Sequence, residues 1–376
     1  MFDTNCGGPQ HGGNLSHAMA EFGGQAEQWL DLSTGISPYS WPVAKVLTRA
    51  PSSCWHQLPD DDLYRATQSA AAEYYAPLSQ AGCEQYVLAS GTQAIIQQLP
   101  IFFAAHVYQK PVSELRIWVM AGSYGEHRYC WWKAGAQVTE KSAQQLRDSL
   151  QDLHVGLPDI LLLVNPDNPS GENWTYDEIQ SWQKRLSKNN GWLILDCAFA
   201  DSNGEVFFNN KAEGFSNNEN GTENTRQSEN NLLLLTSIGK FFGLAGLRFG
   251  CCILPPQWAQ RLREQLGPWP VSGLTLWLAQ QAFADHVWQQ QNRMAIQQIQ
   301  QQLIDACEGL PVYGTTPLFI TLQSSEAEYW QQQLASRKIW SRCFKQQNLL
   351  RLGLPQQHNF ERLQLALTSL KAGSIK

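Results

Sequence analysis

The sequence lacks several features that would assign it to other classes of protein. No apolar run approaches the roughly 20 residues of a membrane-spanning helix, and the start Met1-Phe-Asp-Thr-Asn lacks the basic and apolar regions of a signal peptide. The formal net charge is −6, without the basic patch that nucleic-acid binding needs. The nine cysteines form no Cys-x-x-Cys motif. We therefore expect a cytoplasmic protein with reduced thiols, no metal site, and no membrane or nucleic-acid partner.

Apolar residues are plentiful, at 43% of the 376 residues, which is enough for one large core and a smaller one. Several continuous apolar runs have the length of strands, and they lie at 86–90, 117–121, 159–165, 192–196 and 232–237. Runs of this kind are typical of strands buried on both faces. The sequence thus predicts an α/β fold in which helices cover a parallel sheet.

Groups that can carry chemistry follow these strands. Gly91, Asn168, Asp196 and Lys240 each fall at or just after the carboxyl end of a predicted strand. In parallel sheets, ligands collect at that edge. A helix predicted over 94–99 follows Gly91, and its first backbone N–H groups suit an anion. The coincidence predicts a ligand site at this edge of the sheet.

Of these groups, Lys240 lies three residues after Ser237 and eight residues before Arg248. Its amine can form a Schiff base with an aldehyde, while the hydroxyl and the guanidinium can hold a phosphate. Ser-x-x-Lys also occurs by chance, and it is the serine acyl-enzyme signature of penicillin-binding proteins. The Ser-Asp-Asn and Lys-Thr-Gly partners of that signature are absent. The other groups at the strand ends decide between a chance match and a site for the cofactor pyridoxal 5'-phosphate, and they favour the cofactor site.

This cofactor needs further groups, and the sequence offers a candidate for each. Asp196 can keep the pyridine nitrogen protonated, although an aspartate there can also cap a helix. The Asn168 amide can donate to the 3'-oxygen of the ring, or belong only to a turn. Tyr124 can cover the ring face, or be an ordinary buried tyrosine. The cofactor phosphate is assigned to Gly91, Thr92 and Gln93, with Ser237 and Arg248.

Arg351 is the candidate that binds the α-carboxylate of an amino-acid substrate. A guanidinium fork matches a carboxylate with two parallel hydrogen bonds. The alternative is an arginine in a surface ion pair.

The combined motifs resemble those of the class I/II aminotransferases of fold type I. They are Asn165-Pro-Asp-Asn168-Pro-Ser-Gly171, Asp196-Cys-Ala-Phe199, Ser237-Ile-Gly-Lys240 and Ala245-Gly-Leu-Arg248-Phe-Gly250. Further motifs narrow the resemblance to threonine-phosphate decarboxylases, a group similar to histidinol-phosphate aminotransferases. These are His11-Gly-Gly-Asn14, Trp29-Leu-Asp-Leu-Ser33-Thr-Gly35-Ile36-Ser-Pro38, Pro268-Trp-Pro-Val-Ser272 and Leu350-Arg351-Leu-Gly-Leu-Pro355. The resemblance covers residues 11 to about 355.

The resemblance implies a homodimer of fold type I, with a mostly parallel mixed sheet in a large domain and a smaller α/β domain at the C-terminus. We expect an N-terminal segment across the active-site cleft at 1–42, the cofactor domain at 43–260 and the small domain at 261–376. The resemblance also implies that Phe199 lies near the cofactor. The substrate-binding residues that it implies are His11, Asn14, Gly35, Ile36, Asn168, Arg342 and Arg351.

Two residues depart from the aminotransferase pattern. Cys197 replaces the usual glutamate of the Asp-Glu-Ala-Tyr motif. Leu58 stands where related aminotransferases often have a tyrosine that reaches the cofactor phosphate of the other subunit. One cross-subunit phosphate contact is therefore in doubt.

The activity that the resemblance implies is decarboxylation of L-threonine O-3-phosphate to (R)-1-amino-2-propanol O-2-phosphate in cobalamin biosynthesis. A histidinol-phosphate-type aminotransferase that uses 2-oxoglutarate stays open, because the residues alone do not reveal which substrate bond is broken. A non-catalytic regulator that binds the cofactor is a third alternative.

Two segments have a biased composition. Residues 209–231 are rich in Asn, Glu, Gly and Ser and predict an exposed insertion. The glutamine-rich residues 289–302 predict a helix, because Met294, Ile296, Ile299 and Leu303 recur at helical spacing.

Overall fold

The computed structural model describes residues 8–9, 11–79, 81–203 and 231–373. Its strands are β1 (Leu30–Asp31), β2 (Tyr86–Ala89), β3 (Arg116–Met120), β4 (Gln137–Lys141), β5 (Ile160–Val164), β6 (Trp192–Asp196), β7 (Leu232–Ser237), β8 (Gly250–Ile253), β9 (Val312–Thr316), β10 (Phe319–Gln323), β11 (Ile339–Trp340), β12 (Arg342–Phe344) and β13 (Leu349–Gly353). Apart from Asn231, the low-complexity segment 209–231 lies outside the described residues.

The α-helices of the same ranges are α1 (Leu15–Phe22), α2 (Val43–Leu47), α3 (Ser53–His56), α4 (Asp61–Tyr74), α5 (Thr92–Phe102), α6 (Gly125–Lys133), α7 (Ala143–Gln151), α8 (Tyr176–Ser187), α9 (Pro256–Leu266), α10 (Gly273–Ala284), α11 (His286–Ala306), α12 (Ala327–Ser336) and α13 (Phe360–Gly373). None of these helices combines the length and the apolar character needed to cross a membrane.

The chain forms two compact units. The sheet unit comprises Trp41–Asp167 and Glu172–Val287, and the terminal unit comprises Met1–Ser40, Asn168–Gly171 and Trp288–Lys376. The sequence predicted that the cofactor domain ends at residue 260 and that the small domain begins at 261, whereas the sheet unit extends to Val287. The physical reason is that α9 packs on α5 and β2, and α10 packs on α4. The short segment Asn168–Gly171, expected in the large domain, groups with the terminal unit.

The sheet unit is built on a seven-stranded sheet in the order β2-β8-β7-β6-β5-β3-β4. Strand β8 pairs antiparallel with both of its neighbours, and the other adjacent pairs are parallel. All five residues of β5 and of β6 are buried, and each fully buried Leu or Ile side chain contributes about 1.5–3 kcal/mol relative to exposure. The predicted α/β fold with a mostly parallel mixed sheet is thereby confirmed.

Helices cover this sheet with a core rich in aromatic rings. Phe103 is fully buried, and its ring centroid lies 5.2 Å from that of Trp192 and 6.0 Å from that of Trp131. Because both faces are covered, the strands can be apolar along their whole length. The polar side chains of the sheet unit that could bind a ligand are therefore expected at the ends of its buried strands.

The terminal unit contains a four-stranded antiparallel sheet in the order β12-β13-β10-β9, and the parallel pair β1-β11. The register places Arg342 directly opposite Arg351, and Arg351 directly opposite Thr321. Helix α11 contains the glutamine-rich residues 289–302, as their spacing predicts. Its buried side includes Ile296 and Ile299, but Met294, expected on the same side, is 56% exposed.

The segment Asn168–Gly171 lies on one face of this four-stranded sheet. The Thr321 hydroxyl donates to the Pro169 carbonyl at 2.6 Å. A Cβ at Gly314 would fall 1.7 Å from the Ser170 carbonyl oxygen, and one at Gly171 would fall 2.8 Å from the Thr315 nitrogen. The close approach of the two backbones therefore requires glycine at both positions.

Gly314→Ala is expected to lower the free energy of unfolding by about 1–3 kcal/mol, because a methyl group there forces the two backbones apart. Urea denaturation measures this change. Gly156→Ala is the matched control: a Cβ at Gly156 meets no atom within 4 Å, so its effect should stay within about 0.5 kcal/mol. Equal stability of the two variants would contradict the packing described for Asn168–Gly171.

Candidate active site

Lys240 lies in the turn that follows β7. The backbone N–H of Gly239 donates to the Ser237 hydroxyl oxygen at 3.1 Å, which tightens this turn. The Lys240 ammonium nitrogen lies 5.1 Å from the centre of the Phe199 ring, within the range of a cation–π contact. Lys240, assigned to the cofactor aldehyde, and Phe199, expected near the cofactor, are therefore neighbours.

Asp196 ends β6 and is 3% exposed. One carboxylate oxygen accepts the Ala198 backbone N–H at 3.0 Å, and the other lies 2.8 Å from His127 Nε2. His127 is on α6 and is 1% exposed, and its Nδ1 contacts no hydrogen-bond partner among the described residues. A buried carboxylate needs such a donor, because isolated burial of its charge is costly.

Sequence reasoning missed His127. The available signal was its position three residues after Tyr124, since residues three apart share a helix face. The ring centroids of Tyr124 and His127 are 5.7 Å apart with an interplanar angle of 82°.

Tyr124 precedes α6 and connects to a polar network. Its hydroxyl donates to Gln93 Oε1 at 3.5 Å, and the amide nitrogen of Gln93 donates to the buried carboxylate of Glu126. Burial, and then the negative charge of Asp196, raises the pKa of the Tyr124 hydroxyl. The hydroxyl is therefore protonated at neutral pH and remains a hydrogen-bond donor.

A candidate phosphate site lies at the start of α5. Gly91 precedes this helix with φ +80°, and a Cβ there would fall 2.4 Å from a guanidinium nitrogen of Arg248. A Cβ at Gly250 would fall 2.6 Å from the Thr92 backbone nitrogen. The guanidinium is thus next to the amino end of the helix, where N–H groups and the helix dipole favour an anion.

The sheet unit therefore fits pyridoxal 5'-phosphate. It combines an anion site at Gly91 and Arg248, an amine at Lys240, a buried carboxylate at Asp196 and an aromatic ring at Tyr124. A side chain larger than that of glycine at position 91 would fill the space beside the Arg248 guanidinium.

Arg351, on β13 of the terminal unit, is 4% exposed. Its two terminal nitrogens donate to the Asn168 side-chain oxygen and to the Ser33 carbonyl, while its Nε finds no acceptor among the described residues. Burial, and then the charge of Arg342, lowers the pKa of the Arg351 guanidinium to about 9. No carboxylate pairs with this buried cation in the described residues.

Arg342 faces the N-terminal segment of the same unit. Its guanidinium donates to the His11 carbonyl at 3.1 Å, and burial lowers its pKa. The Gly13 N–H donates to the Ser33 hydroxyl at 2.8 Å, which ties this segment to the end of β1. Arg342, His11 and Asn14 line a cavity of about 480 Å³.

The other residues assigned to the substrate have these positions. Asn14 caps α1, and its side-chain oxygen accepts the Ser16 hydroxyl at 2.9 Å and the His17 N–H at 3.3 Å. Gly35 has φ +61°, and Ile36 is partly buried. The amide oxygen of Asn168 is engaged by Arg351, so the amide nitrogen of Asn168 carries its remaining donors. Each of these ligand assignments stays a prediction.

Comparisons with known proteins agree with this architecture. The family model "Aminotransferase class I and II" matches residues 27–370. The chain belongs to this family. It is 34% identical over 365 residues to a threonine-phosphate decarboxylase of Pseudomonas aeruginosa, covering 96% of this chain and 98% of that protein.

Two further proteins are similar to the chain. One is the adenosylcobalamin biosynthesis bifunctional protein CobDQ of Leptospira interrogans, 24% identical over 85% of this chain and 34% of that protein. The other is the structure of histidinol-phosphate aminotransferase from Sinorhizobium meliloti in complex with pyridoxal-5'-phosphate. It has a TM-score of 0.74 and 16% identity, over 95% of this chain and 94% of that chain, and it confirms the fold.

His127→Leu is expected to lower the free energy of unfolding by about 1–3 kcal/mol, because it leaves the buried Asp196 carboxylate without its side-chain donor. Adding Asp196→Asn should recover part of that loss, since a neutral amide costs less to bury than an unpaired charge. A double-mutant cycle by urea denaturation measures the coupling. Simple additivity of the two changes would contradict a direct His127–Asp196 interaction.

Proposed function

We propose that the protein is a pyridoxal 5'-phosphate-dependent decarboxylase of L-threonine O-3-phosphate. The products are carbon dioxide and (R)-1-amino-2-propanol O-2-phosphate, which serves cobalamin biosynthesis. The observation that carries the proposal is the pair of arginines, Arg342 and Arg351, directly opposite each other on β12 and β13. Two adjacent guanidinium groups suit a substrate with two anionic groups, a carboxylate and a phosphate.

Residues of the sheet unit hold the cofactor in this proposal. Bound pyridoxal 5'-phosphate supplies an electron sink for a bond at the substrate α carbon. Lys240 would bind its aldehyde carbon, and Asp196, oriented by His127, would hold a proton on the pyridine nitrogen. The start of α5 (Gly91, Thr92 and Gln93), with Ser237 and Arg248, binds the phosphate. Tyr124 would cover the ring, and Phe199 packs beside Lys240.

Residues of the terminal unit bind the substrate. Arg351 binds the α-carboxylate, which satisfies the N–H that its described neighbours leave unpaired. The amide oxygen of Asn168 accepts from Arg351, and we assign its amide nitrogen as the donor that would serve the ring oxygen of the cofactor. Arg342, His11 and Asn14 bind the substrate phosphate at their common cavity. Gly35 and Ile36 complete the substrate contacts.

Decarboxylation breaks the bond between the α carbon and the carboxylate. Carbon dioxide leaves, and the α carbon takes up one proton, for which the Lys240 ammonium is our proposed donor. Arg351 would hold the carboxylate in the orientation that cleavage of this bond needs. Anchoring at both anions fixes the substrate before the bond breaks.

The similarity to the histidinol-phosphate aminotransferase structure makes transamination the second candidate. The two reactions differ in products. Purified protein with threonine phosphate should release carbon dioxide and aminopropanol phosphate without 2-oxoglutarate. A 2-oxo product that appears only with an amino acceptor would contradict decarboxylation and favour transamination.

The proposed functional state is a homodimer in the cytoplasm. Trp55, Leu58 and Trp269 of the sheet unit are each more than half exposed, and burial of such apolar side chains favours association. The eight described cysteines are free thiols, which supports a reducing compartment.

Lys240→Ala should abolish the visible absorbance of the lysine-bound cofactor, because the variant lacks the amine assigned to its aldehyde. Absorbance spectroscopy and peptide mapping after borohydride reduction measure this. Lys133→Ala, an exposed lysine on α6, is the matched control and should keep the band. A cofactor label on a different lysine would overturn the assignment.

Plain L-threonine should be a poorer substrate than its O-phosphate by roughly 10⁴ in kcat/KM, because charged donors stay unpaired without the phosphate. Arg342→Ala should narrow that gap mainly by impairing the phosphorylated substrate. Steady-state kinetics on both substrates measure it. Comparable kcat/KM values for the two substrates in the wild type would reject the phosphate site.

A further inference from the structure

Phe344 contacts both arginines of the terminal unit. The Arg342 guanidinium carbon lies 5.1 Å from the centre of its ring, and the Arg351 guanidinium carbon lies 5.8 Å from the same point. Both distances are within the range of a cation–π interaction. A single aromatic ring therefore interacts with two cations at once.

The strand register explains how this arises. Phe344 is two residues after Arg342 on β12, so the two side chains leave the same face of the strand. Arg351 lies directly opposite Arg342 on β13, and Phe344 lies opposite Leu349. Phe344 is thus the diagonal neighbour of Arg351, a separation that an aromatic side chain can span.

Two like charges directly opposite each other repel, and each long side chain has several alternative rotamers. Arg351 has a second aromatic contact, at 5.1 Å from the centre of the Phe319 ring, and hydrogen bonds to Asn168 and Ser33. The Arg342 guanidinium contacts the Phe344 ring and donates to the His11 carbonyl. Phe344 is therefore the aromatic contact that the two guanidinium groups share.

We propose that Phe344 is a positioning residue that fixes the spacing of the Arg342 and Arg351 guanidinium groups and thereby selects substrates with two anionic groups. This inference rests on the proposed function, because it takes the two arginines as the clamps for phosphate and carboxylate. The negative face of the ring holds both cations in place before the substrate arrives. The substrate then binds without reorganising two mobile side chains.

The test compares Phe344→Leu, which keeps an apolar side chain but removes the ring, with Phe344→Tyr, which keeps it. With threonine phosphate, Phe344→Leu should raise KM roughly tenfold and change kcat much less, since the loss is in positioning of the ground-state ligand. Phe344→Tyr should restore KM to near the wild-type value. With L-threonine, which lacks the phosphate, Phe344→Leu should have a much smaller effect, because Arg351 keeps its contacts with Phe319, Asn168 and Ser33.

Tyr313→Leu is the matched control, because Tyr313 is an exposed aromatic residue on β9 of the same sheet. It should leave KM unchanged. Unchanged KM in Phe344→Leu, an equal loss in Phe344→Tyr, or an equal loss with L-threonine would each overturn the proposal. A thermal melt and the cofactor absorbance verify that each variant is folded and loaded.

Calorimetric binding of threonine phosphate separates this inference from the proposed function. Failure of the wild type to release carbon dioxide would overturn the function. A tenfold weaker binding by Phe344→Leu than by the wild type would still support the positioning role in that case. Equal binding would overturn the positioning role, whatever the reaction is.

Discussion

The like-charge pair of Arg342 and Arg351 is the constraint on which the terminal unit depends. Directly opposed cations destabilise an antiparallel pair, and Arg351 is nearly fully buried, so its charge has also lost most of its hydration. The surrounding residues offset this cost with neutral acceptors, the Asn168 side chain and the Ser33 carbonyl, and with aromatic rings. A ligand with two anions, as in the proposed function, would offset this cost further.

In the sheet unit, the electrostatic constraint is the burial of a negative charge. The unit's central strands β5 and β6 are buried along their whole length, so the charge that β6 contributes lies at its end, at Asp196. There a buried carboxylate is stabilised by His127 and by a backbone N–H. Lys240 and Gly91 lie in turns that follow β7 and β2, and Arg248, which contacts Gly91, lies just before β8. A rigid scaffold thus orders groups that chemistry requires at fixed positions.

The apolar runs were sufficient to predict β5 and β6, because continuous burial leaves a strong local signal. The Asp196–His127 contact was not predictable from spacing, since the two residues are 69 positions apart and meet only through the fold. The grouping of Asn168–Gly171 with the terminal unit depends on a distant glycine, Gly314. Met294 fitted the helical spacing yet is exposed. Helical spacing identifies the apolar face of a helix, but not which residues at the edge of that face are buried.

The most direct measurement is the coupling free energy between Arg342 and Arg351, from a double-mutant cycle of unfolding. Arg342→Gln, Arg351→Gln and the double variant are compared with the wild type, with and without threonine phosphate. Without ligand, the account predicts a destabilising coupling of about 0.5–3 kcal/mol. With threonine phosphate, the coupling should become favourable, because the ligand bridges both cations. A coupling near zero without ligand, or one that threonine phosphate leaves unchanged, would contradict the account.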